Sequence, residues 1–103
     1  MIKNGMRPVH PGEVLQEDYL KPRGLSANAL ARKLHVPTSR IGGIAQGRCR
    51  ISADMALRLA RFFGGDARSW LNMQSMYDLR LAELNQEMQA ALAQVTPLAA
   101  ENA

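Results

Sequence analysis

The stretch that decides the fold occupies residues 25–63 and reads LSANALARKLHVPTSRIGGIAQGRCRISADMALRLARFF. Its apolar residues recur at intervals of three and four, a spacing typical of amphipathic helices. Ser26 and Ser52 stand where helices would begin, because a serine hydroxyl can accept a free N–H of the first helical turn. Pro37 can start a helix between them, and Gly47 would end it. The stretch therefore predicts three short helices in succession.

One further helix is expected on each side of this stretch. Pro11 stands at a first-turn position and opens a helix that Pro22 should stop. Asp66 caps the last helix directly after a break at Gly64–Gly65. Strands are not expected, because no segment sustains a two-residue alternation of β-branched and aromatic side chains. The expected fold class is all-α, a five-helix bundle with orthogonal packing and a C-terminal helical extension.

The charge of the chain is concentrated in one block. The 103 residues carry a formal net charge of +4, and residues 19–53 contain seven basic residues and no acidic one. Such a block is expected of a protein that binds a polyanion, although a solvated cationic face without a partner has the same composition. No segment has the pattern of a signal peptide or a membrane span, so a soluble, cytoplasmic protein is expected.

Two successive helices of the stretch have the pattern of a helix-turn-helix. Leu30 and Ala31 let the first helix pack closely on the second. Ile41 and Ile44 anchor the second helix to the core, while Val36 fills the turn. The residues left for the outer side of the second helix are Thr38, Ser39, Arg40, Gly43 and Gln46. The N-terminal end of that helix can enter a major groove, where short polar side chains and arginine reach base edges.

Three further motifs carry a family resemblance. They read HPGEVL at residues 10–15, ISADMALRLARFFG at residues 51–64 and WLNMQ at residues 70–74. The helix-turn-helix resembles that of repressor-type (XRE-like) regulators of phages and bacteria. With the three motifs, residues 5–80 resemble HigA antitoxins, also known as VapI-like proteins. The WLNMQ motif after the FFG break is more specific than the helix-turn-helix alone.

This resemblance implies a dimer that represses its own operon and neutralises a HigB-like toxin, a small ribonuclease that cleaves messenger RNA. It implies that the helix starting at Thr38 is the recognition helix, and that the N-terminal segment and first helix contact the toxin. Ser26 would lie near a phosphate, and Arg48 and Arg50 would point towards the DNA backbone. The expected DNA-binding residues are Ser26, Thr38, Ser39, Arg40, Gly43, Gln46, Arg48 and Arg50.

Two departures from the family pattern fall in the helix-turn-helix. The pair Gly42–Gly43 lies inside the recognition helix, where each glycine costs about 1 kcal/mol relative to alanine. Gly43 also stands where a side chain often reads a base, so modest direct reading is expected, with phosphate contacts and DNA shape contributing more. His35 stands at a turn position that often takes glycine, because the backbone there adopts a positive φ.

The domain organisation follows from a change of pattern near residue 80. Residues 1–80 are expected to form the DNA-binding domain, with the helix-turn-helix at residues 26–47, and residues 81–103 a helical extension or tail. An apolar stripe with the a/d rhythm of a coiled coil crosses this boundary. Its members are Tyr77, Leu81, Leu84, Met88, Ala91 and Val95. The stripe either frays into solvent or packs on a partner or on its own domain. The expected dimer interface consists of Trp70, Leu71, Tyr77, Leu81 and Leu84.

Enzyme chemistry is not expected. The sequence has no Ser-His-Asp set, no phosphate-binding loop and no paired carboxylates, and its two histidines lack metal-ligand spacing. No catalytic residue, cofactor or metal is therefore predicted. Two other functions remain open at this point: a toxin-binding module with little DNA specificity, and a helix-turn-helix transcriptional regulator without a toxin.

Overall fold

The computed structural model describes residues 7–101, and this part of the chain is built of helices without a strand. The first helix, α1, occupies residues 11–23 and contains an α-helical turn, a π-helical segment and a final α-helical turn, at Pro11–Val14, Leu15–Leu20 and Lys21–Arg23. The helices that follow are α2 (Ala27–Leu34), α3 (Thr38–Ala45), α4 (Ala53–Phe63), α5 (Ala67–Leu84), α6 (Gln86–Ala93) and α7 (Leu98–Glu101). The predicted all-α fold, a five-helix domain with a C-terminal helical extension, is confirmed.

Three of the predicted helix starts are capped as expected. The side chains of Ser26, Ser52 and Asp66 each accept the backbone N–H three residues later, at 3.0, 3.2 and 2.8 Å. Each cap satisfies one of the N–H groups that have no partner within the helix. His35 ends α2 with φ 59° and ψ 47°, so the predicted left-handed turn residue is also confirmed.

α1 departs from the prediction that Pro22 stops it, because the helix continues to Arg23. A proline inside a helix lacks an N–H, and its ring crowds the carbonyl four residues earlier. Here that carbonyl belongs to Asp18, which lies in the π-helical segment, where the turns are wider. The Arg23 guanidinium donates to the carbonyls of Asp18 and Tyr19, at 3.4 and 3.0 Å. The π-helical segment thus allows the helix to continue past the proline.

The hydrophobic core is made by α1–α5 and by the loop before α4. Its buried side chains are Leu15, Leu20, Leu30, Ala31, Leu34, Ile41, Ile44, Ile51, Met55, Ala56, Leu59 and Trp70. Trp70 is 3% exposed, and its ring lies 5.1 Å from that of Tyr19. Trp70, which was predicted at a dimer interface, therefore completes the core of its own protomer and offers little indole surface to a second copy.

The predicted continuous apolar stripe is interrupted. α5 ends at Leu84, and the side chain of Asn85 accepts the N–H of Met88 at 2.8 Å to start α6. An asparagine that caps a helix holds an extended backbone, so the stripe from α5 does not continue in register into α6. Every side chain of residues 83–100 is exposed. Between residues 7 and 101, no helix is long and apolar enough to cross a membrane.

Candidate DNA-binding surface

The first turns of three helices meet at the start of α3. Thr38, the first residue of α3, donates its hydroxyl to the side chain of Asn28 in the first turn of α2, at 2.8 Å. Arg40, also in the first turn of α3, donates to the Ser52 hydroxyl that caps α4, at 2.7 Å. The free N–H groups at helix N-termini carry partial positive charge and favour bound phosphate. This junction is therefore suited to contact a polyanion.

The predicted DNA-binding residues do not all lie on the surface. The exposed ones are Ser26, Thr38, Ser39, Gln46, Arg48 and Arg50. Arg40 is half-buried and Gly43 is buried. Asn28 is exposed and was not predicted, although its place two residues after the Ser26 cap is a signal that could have identified it.

The prediction that Gly43 lies on the outer side of α3 is wrong. The backbone N–H groups of Arg48 and Cys49 both donate to the Gly43 carbonyl, at 2.7 and 3.0 Å. A Cβ built on Gly43 would overlap the Cys49 thiol, whereas a Cβ on Gly42 would meet nothing. Gly43 therefore allows the chain to fold back closely after α3. It does not occupy a surface position from which a side chain could contact a base.

α1 supports the C-terminal end of α3 through the first residues of the HPGEVL motif. Gly12 packs so closely on α3 that a Cβ there would overlap the Ile44 carbonyl oxygen. His10 accepts the Gly12 N–H at Nδ1, at 2.8 Å, and its ring meets the Tyr77 ring edge-on at 4.8 Å between centroids. Burial lowers the pKa of His10, although its hydrogen bond to the Cys49 carbonyl acts the other way. A neutral imidazole thus joins α1 to the loop after α3.

α5 supports the same loop through the last residue of the WLNMQ motif. The side chain of Gln74 is buried and accepts the N–H of Ile51 at 2.8 Å. Its amide nitrogen donates to Asp78 at 3.1 Å, and Asp78 accepts from the Arg50 guanidinium at 2.6 Å. Desolvation raises the pKa of Asp78, but the hydrogen bonds from Arg50 and Gln74 outweigh it and leave that pKa below its usual range. Sequence reasoning missed Gln74, because the Ile51 N–H that it accepts lies 23 residues away in the sequence.

The basic block is divided by the fold. Lys21 pairs with Glu17 at 2.7 Å, and the Arg23 guanidinium lies 5.5 Å from the centre of the Tyr19 ring. These two cations are engaged within or beside α1. In the sequence range of the helix-turn-helix and the loop after it, the remaining basic residues are Arg32, Lys33, Arg40, Arg48 and Arg50. Arg50 is paired as well, with Asp78 at 2.6 Å, so carboxylates on α1 and α5 offset part of the charge of the block.

Comparison with known proteins identifies the family. Residues 17–70 match the family model described as Helix-turn-helix. Virulence-associated protein I (VapI) of Dichelobacter nodosus is 60% identical over 85 residues, which are 82% of this chain and 79% of that protein. The chain belongs to this helix-turn-helix family.

Solved structures place this helix-turn-helix protein with HigA-type antitoxins. Antitoxin GraA in complex with its operator has a TM-score of 0.84 and 46% identity, covering 95% of this chain and 98% of that one. The Pseudomonas aeruginosa antitoxin HigA with the higBA promoter has a TM-score of 0.83 and 40% identity, covering 89% and 99%. The predicted resemblance to HigA and VapI is confirmed. The family consists of DNA-binding antitoxins and regulators and not of enzymes. Within residues 7–101, no group of His, Cys, Asp and Glu side chains could hold a metal ion.

Proposed function

We propose that this helix-turn-helix protein binds operator DNA as a homodimer, represses its own operon and neutralises a HigB-like toxin that cleaves messenger RNA. The observation that carries the proposal is the junction at the start of α3, where first turns of α2, α3 and α4 meet around Thr38 and Arg40. Its exposed polar side chains and helix N-termini have the chemistry that recognises phosphates and base edges. Two similar proteins have been solved with an operator or a promoter.

Each part of this surface has a proposed task on DNA. Thr38 and Ser39 are exposed in the first turn of α3 and Gln46 is exposed at its C-terminal cap, so these are the side chains we assign to base edges in the major groove. A second, larger group of residues is assigned to phosphates, because its members are cationic or lie at helix N-termini. This group comprises Ser26, Asn28, Arg40, Arg48 and Arg50. Gly43 has no direct task, because it is buried against Cys49.

Dimerisation is assigned to the C-terminal half of α5. Leu81 and Leu84 are 44% and 52% exposed, and they belong to the predicted apolar stripe. Leu71 and Tyr77 are half-buried against their own protomer, which limits their share of an interface. A symmetric dimer would present two recognition helices to successive major grooves, about 34–36 Å apart on the DNA.

Toxin binding is assigned to the groove between the N-terminal segment, α1 and α5. The groove has a volume of about 750 Å³, and its apolar lining includes Val14, Met73 and Met76. Carboxylates outnumber cations in the same lining, which carries Glu13, Glu17, Asp18 and Glu83 beside Arg7 and Arg80. A ribonuclease presents cationic side chains to RNA, so a groove with apolar and mostly acidic lining suits such a partner.

The deciding experiment measures binding of the purified protein to its own upstream DNA and to a scrambled duplex over a salt series. Tight, salt-sensitive binding with preference for the upstream DNA is expected. Arg48→Ala should weaken binding to both duplexes and lower the slope of log K against log salt by about 1, because one phosphate contact is lost. Arg68→Ala removes the same charge from an exposed position of α5 and serves as the matched control. Equal, weak binding to both duplexes would contradict the operator-binding role and leave toxin binding as the function.

A further inference from the structure

Gln74 is the one polar or charged residue classed as buried in the part of the chain that the structure describes, with 3% of it exposed. A buried amide is costly unless its polar atoms are hydrogen-bonded. Here both ends have partners, since the carbonyl oxygen accepts from the Ile51 N–H and the nitrogen donates to Asp78. Ile51 lies in the loop that follows α3, and Asp78, one turn further along α5, accepts from Arg50 of the same loop. An apolar side chain could fill this space, so packing alone does not explain a glutamine.

We propose that Gln74 is a positioning residue for operator recognition. It fixes the loop of residues 47–51 relative to α3, and it orients Asp78, which holds the guanidinium of Arg50. This inference rests on the proposed DNA-binding function, because that function assigns Arg48 and Arg50 to the operator backbone. The new element of the inference concerns α5, the helix to which we assigned dimerisation. This helix also sets the geometry of the loop at the end of the recognition helix.

Short hydrogen bonds link the buried Gln74 to the exposed Arg50 through Asp78. Gln74 meets the Ile51 N–H at 2.8 Å and Asp78 at 3.1 Å, and Asp78 meets Arg50 at 2.6 Å. The first contact is buried, and the last reaches an Arg50 side chain that is 67% exposed. The exposed cation is therefore attached to the interior through two side chains. Contacts with phosphates set the register of a protein on DNA. Displacement of the loop of residues 47–51 should therefore lower the affinity for the operator more than the affinity for non-specific DNA, which depends mainly on charge.

The test uses two substitutions of nearly equal size at the same position. Gln74→Met fills the space but leaves the Ile51 N–H without an acceptor. Gln74→Glu keeps an oxygen for that N–H and, when protonated, an O–H for Asp78. Binding to the operator and to a scrambled duplex is measured with the full chain at a temperature at which circular dichroism shows both variants folded. Gln74→Met should lower operator affinity about tenfold and leave scrambled-duplex affinity nearly unchanged, whereas Gln74→Glu should recover most of the loss.

A second measurement covers the case in which Gln74→Met does not fold. Asp78→Asn alters a part-exposed side chain, so the fold should survive it. It should lower the preference for the operator about threefold in the wild-type background and have no effect in an Arg50→Ala background, since the two residues act in series. Equal effects of Asp78→Asn in both backgrounds would overturn the proposal.

The outcomes separate this inference from the function on which it rests. A wild-type protein without operator preference overturns both. A wild-type preference that folded Gln74→Met retains in full, with only a lower melting temperature, overturns the positioning role alone. Loss of operator preference in Gln74→Met with recovery in Gln74→Glu supports it, because a purely structural role would lower affinity for both duplexes in proportion to the unfolded fraction.

Discussion

At the scale of single residues, His10 connects three parts of the molecule through one ring. Its Nδ1 accepts the Gly12 N–H, its ring packs on Tyr77, and it hydrogen-bonds the Cys49 carbonyl. Because Nδ1 is an acceptor here, the geometry requires the neutral tautomer with its proton on Nε2. A protonated imidazole would lose the N-cap of α1, and the charged ring would be partly desolvated.

The pKa of His10 therefore predicts a pH dependence of stability. Burial places the folded-state pKa below the ordinary value of 6.5, so the stabilisation is complete above that value and is lost as pH falls through the folded-state pKa. His10→Asn replaces the cap with one that does not titrate. As pH falls from about 7 to about 5, the wild type should therefore lose more unfolding free energy than His10→Asn does. Urea denaturation at several pH values measures this, and parallel profiles of the two proteins would contradict it.

The two adjacent glycines of α3 should respond in opposite ways to alanine. Gly42→Ala adds a Cβ in open space, so it should raise the free energy of unfolding by about 1 kcal/mol. Gly43→Ala pushes a methyl group against the Cys49 thiol, so it should lower the free energy of unfolding by about 1–3 kcal/mol. Denaturant unfolding of both variants measures the difference. In a Cys49→Ala background the cost of Gly43→Ala should shrink, and an unchanged cost would mean that the thiol is not the obstacle.

At the scale of elements, the C-terminal helices differ from the domain helices in what they bury. α2, α4 and α5 each place buried side chains in the core, whereas α6 has none. α6 has a cap at Asn85, and the Gln89 side chain donates to the Glu83 carbonyl at 3.0 Å. Local hydrogen bonds of this kind are enough to define a helix boundary, but they contribute little to the stability of a domain.

Deleting residues 86–103 should therefore leave the domain intact. The free energy of unfolding is expected to change by less than about 0.5 kcal/mol, since the described part of the deleted segment buries no side chain in the protomer. Thermal and urea unfolding of the truncated and full chains provide the comparison. A clear loss of stability would show that α6 packs on a second copy.

At the scale of the whole molecule, the structure is more elongated than a compact domain with the same number of residues. Its radius of gyration is 17.3 Å and its extents are 58 × 24 × 24 Å. A compact domain of 100 residues has a radius of gyration of about 13 Å. The large apolar side chains that are exposed concentrate along the elongated part, on α5 and the helices after it. Those in this part of the chain are Met76, Leu79, Leu81, Leu84, Met88, Leu92, Leu98 and, in the loop before the last helix, Val95, whereas Leu57 and Phe62 are exposed on α4. Exposed apolar side chains in this number favour association.

The proposed dimer should depend on where a charge is introduced. Leu81→Glu places a carboxylate in the proposed α5 interface, so light scattering should give 11.3 kDa for this variant and twice that mass for the wild type. Leu57→Glu is the matched control, because Leu57 is 64% exposed on α4, outside that interface. A Leu81→Glu dimer, or a monomeric Leu57→Glu, would move the interface away from the end of α5.

The sequence by itself determined the helices, their caps and the helix-turn-helix, because those signals act over short distances along the chain. Ser26, Ser52 and Asp66 each bond an N–H three residues away, and His35 adopts its turn conformation locally. The motifs also identified the family correctly. Local rules failed at Pro22, where the π-helical segment of α1 accommodates the proline.

Only the tertiary structure decided which side chains form the surface. Gly43 faces inward because the chain folds back at Cys49, and Trp70 is buried because α1 packs on α5. The bond from Gln74 to the Ile51 N–H spans 23 residues. Helical periodicity predicts whether a residue lies on the inner or the outer side of its helix. It does not predict which distant backbone group will lie beside that residue and need a hydrogen-bond partner. That choice depends on how the helices pack, because a buried N–H must be satisfied by whichever side chain the packing brings to it.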